Sequence, residues 1–176
     1  MIKSRRLSLR KWRGSDRAQL RLILGDPEVM EFSDQGALSE AQQTSWLDEA
    51  CLVSRMDLLS GPLAITRRAE DLAVGYIRLS TEPGRVKTGA VELGIRLARR
   101  MWGQGYATEA AAAMIDAAKT IPSISELVAI VDPNNERSIR LLEKLGMAQD
   151  GEIMFDGYDY PDAVYVLKLR TDATDH

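Results

Sequence analysis

Residues 91–110 read Val91-Glu92-Leu93-Gly94-Ile95-Arg96-Leu97-Ala98-Arg99-Arg100-Met101-Trp102-Gly103-Gln104-Gly105-Tyr106-Ala107-Thr108-Glu109-Ala110. Val91, Leu93, Ile95 and Leu97 alternate with Glu92, Gly94, Arg96 and Ala98, the period of a strand. An Ala-rich helix is expected from about Tyr106 to Lys119. Between them, two glycines one residue apart let the backbone turn tightly and approach a ligand. A helix behind such a loop aims free N–H groups and a positive dipole end into it, which suits a phosphate or pyrophosphate. Arg99 and Arg100 add positive charge. A turn that merely joins strand to helix is the plain alternative. Two phosphate motifs fail here. The Walker pattern needs Gly-Lys-Ser/Thr where Gly105-Tyr106-Ala107 stands. The dinucleotide fingerprint needs a third glycine where Thr108 stands.

Working outward, Pro122 and Ser123 precede a strand over Leu127 to Val131. A strand, helix and strand in sequence need a crossover, so these two strands are expected to be parallel neighbours. Asn134-Asn135 opens another helix, carrying Ile139, Leu142 and Leu145 inward, and Gly146 ends it. Two tail strands are expected, around Gly151 to Phe155 and Ala163 to Leu169, before a polar, frayed end over 171–176. On the other side, Leu63 to Arg67 and Ala73 to Ser80 read as two strands joined by a turn at Ala69-Glu70-Asp71. Glu82-Pro83-Gly84 reads as a turn. Leu7 to Arg10 forms a short strand. Leu20, Ile23 and Leu24 stripe a helix that Gly25 stops, and Asp26-Pro27 is expected to start a second short helix. Ser39 with Gln42 fits a capping box for a stronger helix, with Leu47, Ala50, Cys51 and Ser54 on one face. One domain over 1–176 is expected, of mixed α/β (α+β) class with a mostly antiparallel central sheet flanked by helices.

Composition excludes several classes of function. The chain has 176 residues, 45% hydrophobic and 28% charged. That balance is ordinary for a globular domain and foreign to collagen, coiled coils or disorder. His176 is the only histidine and Cys51 the only cysteine. A histidine base, a Ser-His-Asp triad, a multi-histidine metal site and a Cys-rich zinc module are therefore not expected. Cys51 reads as a small core residue, with no base in sequence to activate it. A net charge of −3 lacks the basic surplus of a general nucleic-acid binder. No run reaches the length of a membrane span, and the basic start lacks a signal-peptide core. A soluble cytoplasmic protein is the expectation.

A third pattern fits the loop. Arg100-x-x-Gly103-x-Gly105 resembles the Arg/Gln-x-x-Gly-x-Gly/Ala signature of the GNAT superfamily of N-acetyltransferases. Trp102 to Ala110 looks like the cofactor loop of the branch that includes the ribosomal-protein-alanine N-acetyltransferases. Arg6 to Arg10, Asp26 to Val29, Trp46-Leu47, Val74 to Ile77, Asn135 to Ser138 and Glu143 to Met147 resemble that branch in order and spacing. The resemblance implies acetyl-CoA as donor and no metal. It also implies a sheet splayed between the two parallel strands, with the cofactor in the gap. It assigns backbone groups of Ile95 and Leu97 to the pantetheine arm. Amides from Arg100 through Gly103, Gln104, Gly105 and Tyr106 to Ala107 are assigned to the pyrophosphate. Asn135 and Ser138 are assigned to the distal part of the cofactor, though Asn135 also reads as a plain helix cap.

Acetyl transfer to an amine needs a route for the amine proton and a donor for the developing oxyanion. Glu92, opposite in face to Val91, Leu93 and Ile95, is the first candidate base; an ion pair with Arg78 or Arg96 is its plain reading. Glu109, in the first helical turn, is expected to complement the dipole. Many superfamily members carry a tyrosine acid where Leu142 stands, so this chain departs from the pattern. The resemblance to the ribosomal branch points instead to Ser138, with Tyr158, Tyr160 and Tyr165 as further candidates. The acceptor is expected to be an amine-bearing small molecule or a protein N-terminus. The three carboxylates of the 156–162 loop suit a cationic acceptor or are simply solvated. A non-catalytic CoA-binding or interaction domain of the same fold is the rival expectation. An exposed strand over Ala163 to Leu169 is expected to pair with a partner or cover an edge, so a homodimer is expected beside the monomer.

Overall fold

The structure, a computed structural model, describes residues 1–53, 61–81 and 90–170. Its eight strands are β1 (Ile2–Lys3), β2 (Leu7–Arg10), β3 (Leu63–Arg67), β4 (Leu72–Ser80), β5 (Ala90–Leu97), β6 (Glu126–Val131), β7 (Ala148–Ile153) and β8 (Asp162–Lys168). The α-helices among the described residues are α1 (Arg17–Leu24), α2 (Glu40–Val53), α3 (Tyr106–Ala118) and α4 (Glu136–Lys144). One sheet runs β1-β2-β3-β4-β5-β6-β8-β7, and every pairing in it is antiparallel except β5 with β6. This is the mixed α/β architecture that the sequence implies.

Local chemistry accounts for most of these elements. Ser39 and Gln42 form the expected capping box: the Ser39 N–H donates to Gln42 Oε1 at 2.9 Å, and the Gln42 N–H to Ser39 Oγ at 3.4 Å. Leu20, Ile23 and Leu24 of α1 are buried, and Gly25 caps that helix. Ala110, Ala111 and Ala118 let α3 lie close on β1, β2 and β5. Tyr76, on one face of β4, meets Trp46 of α2, and Trp46 in turn meets Trp12, each pair with centroids 5.3 Å apart. Ile77 and Leu79, on the other face, are fully buried.

Arg10 is buried at the end of β2. Its guanidinium grips Asp16 through two 2.8 Å bonds and donates from Nε to Asp71 at 2.9 Å. The Asp16 carboxylate, ahead of Asp71, holds the Arg10 guanidinium above its ordinary value despite burial. Arg10 and Arg13 together hold the exposed Asp71 carboxyl below its own. A buried charge is tolerated only with such partners.

Three expectations need correction, and one strand, β1, was not anticipated. Residues 26–36 form successive turns rather than a second helix. Met30 N–H reaches the Asp26 carbonyl at 3.1 Å, but the chain turns again at Ser33 and at Gly36, whose φ is +61°. Strand β1 has only two residues, too few to show a period. β7 starts at Ala148 rather than Gly151; its polar, exposed residues and a register break between Gln149 and Glu152 hide the alternation. Finally, β8 is not a free edge. It pairs with β6 on one side and β7 on the other, so it covers the β6 edge, one of its two expected roles, and has no free edge of its own for a partner. Ser54, the 82–84 turn and the 171–176 tail lie outside the described residues.

Candidate active site

The β5–β6 ladder lasts only three residue pairs, Ala90 with Glu126, Val91 with Leu127 and Glu92 with Val128. Beyond Glu92 the two strands diverge. A cleft of about 590 Å³ opens there, with Ile95 and Leu97 on one wall and Ala129 and Val131 on the other. Its floor is the glycine loop, and α4 closes its far side.

The loop begins as a 3₁₀ turn over Arg99–Met101. Gly103 and Gly105 then take φ of +72° and +75°, the left-handed region in which glycine is at ease. A Cβ on Gly103 would meet nothing within 4 Å, so conformation rather than space demands glycine there. Gly105 is the N-cap of α3, and no side chain caps that helix. The N–H groups of its first turn are thereby left for a ligand beside Gly103, Gly105, Tyr106 and Ala107, all of which line the cleft. Such a cradle fits a pyrophosphate. Arg100 and Gln104 behave differently. Both are exposed and neither lines the cleft; Gln104 Nε2 donates to the Arg100 carbonyl at 2.8 Å. The Leu97 carbonyl, assigned to the pantetheine arm, already accepts the Trp102 indole N–H at 2.9 Å.

Asn135 caps α4, its side chain accepting the Ser138 N–H at 3.1 Å, and both residues line the cleft. The cap and the cleft position coexist. Leu142 is buried one turn beyond Ser138 and also faces the cleft, so no hydroxyl stands at that point.

A second cleft of about 710 Å³ lies between the 26–38 turns, α2 and the central strands β4, β5 and β6. Glu92, 7% exposed, lines both clefts, as do Tyr76, Arg78, Arg96, Ile130 and Asp132. Arg96 Nη1 donates to Met30 Sδ at 2.8 Å, pinning the turn segment to the shared wall. From the other side Tyr158 O–H donates to Asp34 at 2.7 Å, and Tyr160 O–H to Asp132 at 2.9 Å. That bond to Asp132 raises the Tyr160 hydroxyl above its ordinary value. Tyr165 is instead buried in the core.

Sequence reasoning missed the basic side of the first cleft. Arg137, Arg140 and Lys144 share one face of α4 and line it. Their spacing of three and four residues was a readable signal. Arg137 lies over the Trp102 ring at 3.5 Å, joining helix to loop. Glu109 does more than face a dipole. Burial pushes its carboxyl up, but the Arg6 N–H, Ser4 hydroxyl and Arg6 guanidinium outweigh this and hold it below its ordinary value. Cys51 has its thiol pushed up by burial and by Asp16 and Asp48, which suits the inert reading.

Comparison with known proteins adds the family. Residues 6–148 match the family model described as an acetyltransferase (GNAT) domain. The chain belongs to the GNAT acetyltransferases. Among relatives of this family it is 32% identical over 164 residues to the uncharacterized protein YkkB of Bacillus subtilis, covering 93% of this chain and 92% of that one. It is 28% identical over 149 residues to the uncharacterized N-acetyltransferase p20 of Bacillus licheniformis, covering 83% and 81%. A GNAT-family acetyltransferase structure from Bacillus anthracis superposes with a TM-score of 0.82 at 23% identity, over 96% of this chain and 98% of that one. The structure of AAC(6')-Ib in complex with paromomycin and acetyl-CoA superposes at 0.74 with 20% identity, over 93% and 94%. The chain is thus an N-acetyltransferase whose GNAT fold carries two clefts joined at Glu92. Among the described residues no helix is long and apolar enough to cross a membrane.

Proposed function

We propose that this GNAT enzyme moves an acetyl group from acetyl-CoA to a primary amine by direct attack. The observation that carries the reading is the shared wall: one cleft fits a phosphate-bearing donor, the other is rich in carboxylates, and Glu92 borders both. Acetyl-CoA supplies the activated acetyl thioester. Gly103, Gly105, Tyr106 and Ala107 offer backbone N–H groups to its pyrophosphate, while Arg137, Arg140 and Lys144 offer charge. Ile95 and Leu97 present strand backbone along the open edge of β5, and Asn135 and Ser138 border the same space.

The chain's own groups supply the rest. A primary amine with a lysine-like pKa near 10.4 is protonated at neutral pH and cannot attack until it loses a proton. Glu92 takes that role as base, directly or through water. A strand N–H past the point of splay is proposed to serve the developing oxyanion. Ser138 is the nearest counterpart to the hydroxyl that Leu142 cannot supply, and it is proposed to protonate the leaving thiolate.

The acceptor is proposed to be a cationic amine, either a small molecule or a protein N-terminus. Six carboxylates line the second cleft against two arginines, Arg78 and Arg96. The AAC(6')-Ib complex, with paromomycin bound, supports an amine-rich acceptor on this fold. Thiol release from acetyl-CoA, measured with polyamines, aminoglycosides and basic or acidic N-terminal peptides, tests the reading. Release that depends on a cationic amine is expected. CoA binding with no release for any of these amines would leave the non-catalytic alternative standing.

A further inference from the structure

Arg6 stands at the entry to β2 and lines neither cleft. Its contacts nevertheless converge on the glycine loop. Arg6 Nε donates to Glu109 Oε2 at 2.6 Å and its backbone N–H to Glu109 Oε1 at 2.6 Å. Ser4 Oγ donates to the same carboxylate at 2.7 Å. The guanidinium lies 4.3 Å over the Tyr106 ring. Its Nη1 then donates to the Gln104 carbonyl at 3.1 Å. One side chain thus ties the first turn of α3 to the peptide ahead of it.

The peptide plane makes this consequential. The peptide between Gln104 and Gly105 is trans, so its carbonyl and its N–H point in opposite directions. Arg6 holds the carbonyl from outside the cleft, while Gly105 lines the cleft. The Gly105 N–H is therefore directed to the ligand side. Glycine tolerates positive and negative φ almost equally, so the loop's own residues do little to prevent this peptide from flipping. A flipped peptide would present a carbonyl oxygen to phosphate oxygens. The guanidinium is a fork whose separate N–H groups reach Glu109 and Gln104 together, which an ammonium at that place cannot reproduce.

We infer that Arg6 is a positioning residue for the donor site: through the Gln104 carbonyl it locks the 104–105 peptide in the orientation that offers the Gly105 N–H to the pyrophosphate. The inference rests on the first cleft being the CoA site. It is tested on the full-length protein with Arg6→Gln and Arg6→Lys. Calorimetric titration with CoA is paired with initial rates over acetyl-CoA and acceptor concentration. Loss of a hydrogen bond made by a charged group predicts a CoA Kd and an acetyl-CoA KM raised roughly tenfold in Arg6→Gln. The acceptor KM and kcat at saturating acetyl-CoA should stay within about twofold, a split that general loosening of the fold would not give. Arg6→Lys should keep most of the defect, and it carries the same reading where Arg6→Gln does not fold. Wild-type CoA affinity in a folded Arg6→Gln protein, or full rescue by lysine, overturns the inference and leaves the proposed function intact. A wild-type protein that binds no CoA overturns both.

Discussion

The two clefts share a wall and differ in charge. The first is lined by five cationic side chains and three carboxylates, the second by six carboxylates and two arginines. The first is made by strands that separate, the second by turns and loops laid over the sheet. Helix α4 supplies cations to one, while Glu31 and Asp34 of the 26–38 turns, Glu49 of α2 and Asp162 bring acids to the other. On the proposed function, that difference in charge would sort an anionic donor and a cationic acceptor to opposite sides of Glu92 before any chemistry begins. On the proposed reading, the division lets the donor and acceptor occupy the enzyme together without competing for one surface.

The strongest challenge to that division is at the shared wall. Glu92→Gln keeps the size and removes the proposed base, so turnover should fall by about 10²–10⁴-fold. CoA affinity should hardly change, and the deficit should narrow as pH rises and more of the amine is already neutral. Equal losses of turnover and CoA affinity would show that the clefts do not act separately. Gly105→Val attacks the donor side alone. A branched residue at φ +75° costs about 1–2 kcal/mol in the left-handed region, so CoA should bind roughly tenfold more weakly or worse. A folded variant with unchanged CoA affinity by calorimetry would contradict the donor assignment.

Charge can be tested from both sides at once. Arg137→Gln should weaken CoA binding and soften its salt dependence, while Asp34→Asn should raise the KM of a cationic acceptor. Each effect should be only a few-fold, because exposed charges are screened. If either substitution moves the other ligand's constant as much as its own, the sorting by charge is wrong. The smallest effect concerns Glu109, which lies in neither cleft. Its carboxyl is held below the ordinary glutamate value, so its ionised form stabilises the fold above about pH 4.3 and loses that contribution as pH falls through the folded value. Glu109→Gln should therefore lower Tm at neutral pH, and the gap to wild type should close in acid. A gap that stays constant down the acid limb would separate Glu109 from this linkage.

The fold was readable where one period persisted. Val91 to Leu97 and Tyr106 to Ala118 declared themselves because burial on one face repeats over several turns or pleats. The capping chemistry of Ser39 with Gln42 and of Asn135 was equally local. β1 and β7 were obscured because a two-residue strand has no period and a polar edge strand buries little. Residues 26–36 misled because Asp26-Pro27 is a sound helix opening, whereas the turn residues after it decide whether the helix continues. At the site, Gly103, Gly105, Glu92, Asn135 and Ser138, singled out by glycine spacing, strand alternation or resemblance, all line the first cleft, while Arg100 and Gln104 do not; their roles remain proposals. The tie from Arg6 to Gln104 was invisible because its partners are 98 residues apart. No local pattern records which strand passes beside which loop.

The order β6-β8-β7 also sets a timetable for synthesis. β7 is made before β8, yet β7 touches the sheet only by way of β8. Until residues 162–168 have left the ribosome, β6 presents a bare edge and β7 has nowhere to dock. Among the described strands, the sheet therefore closes with the last one made, a late and long-range event of the kind that slows folding. A nascent chain halted near residue 160 would expose the β6 edge to any neighbour able to pair with it. β8 is in this sense a quality checkpoint: only a chain translated through residue 168 can cover β6 and bring β7 into the sheet.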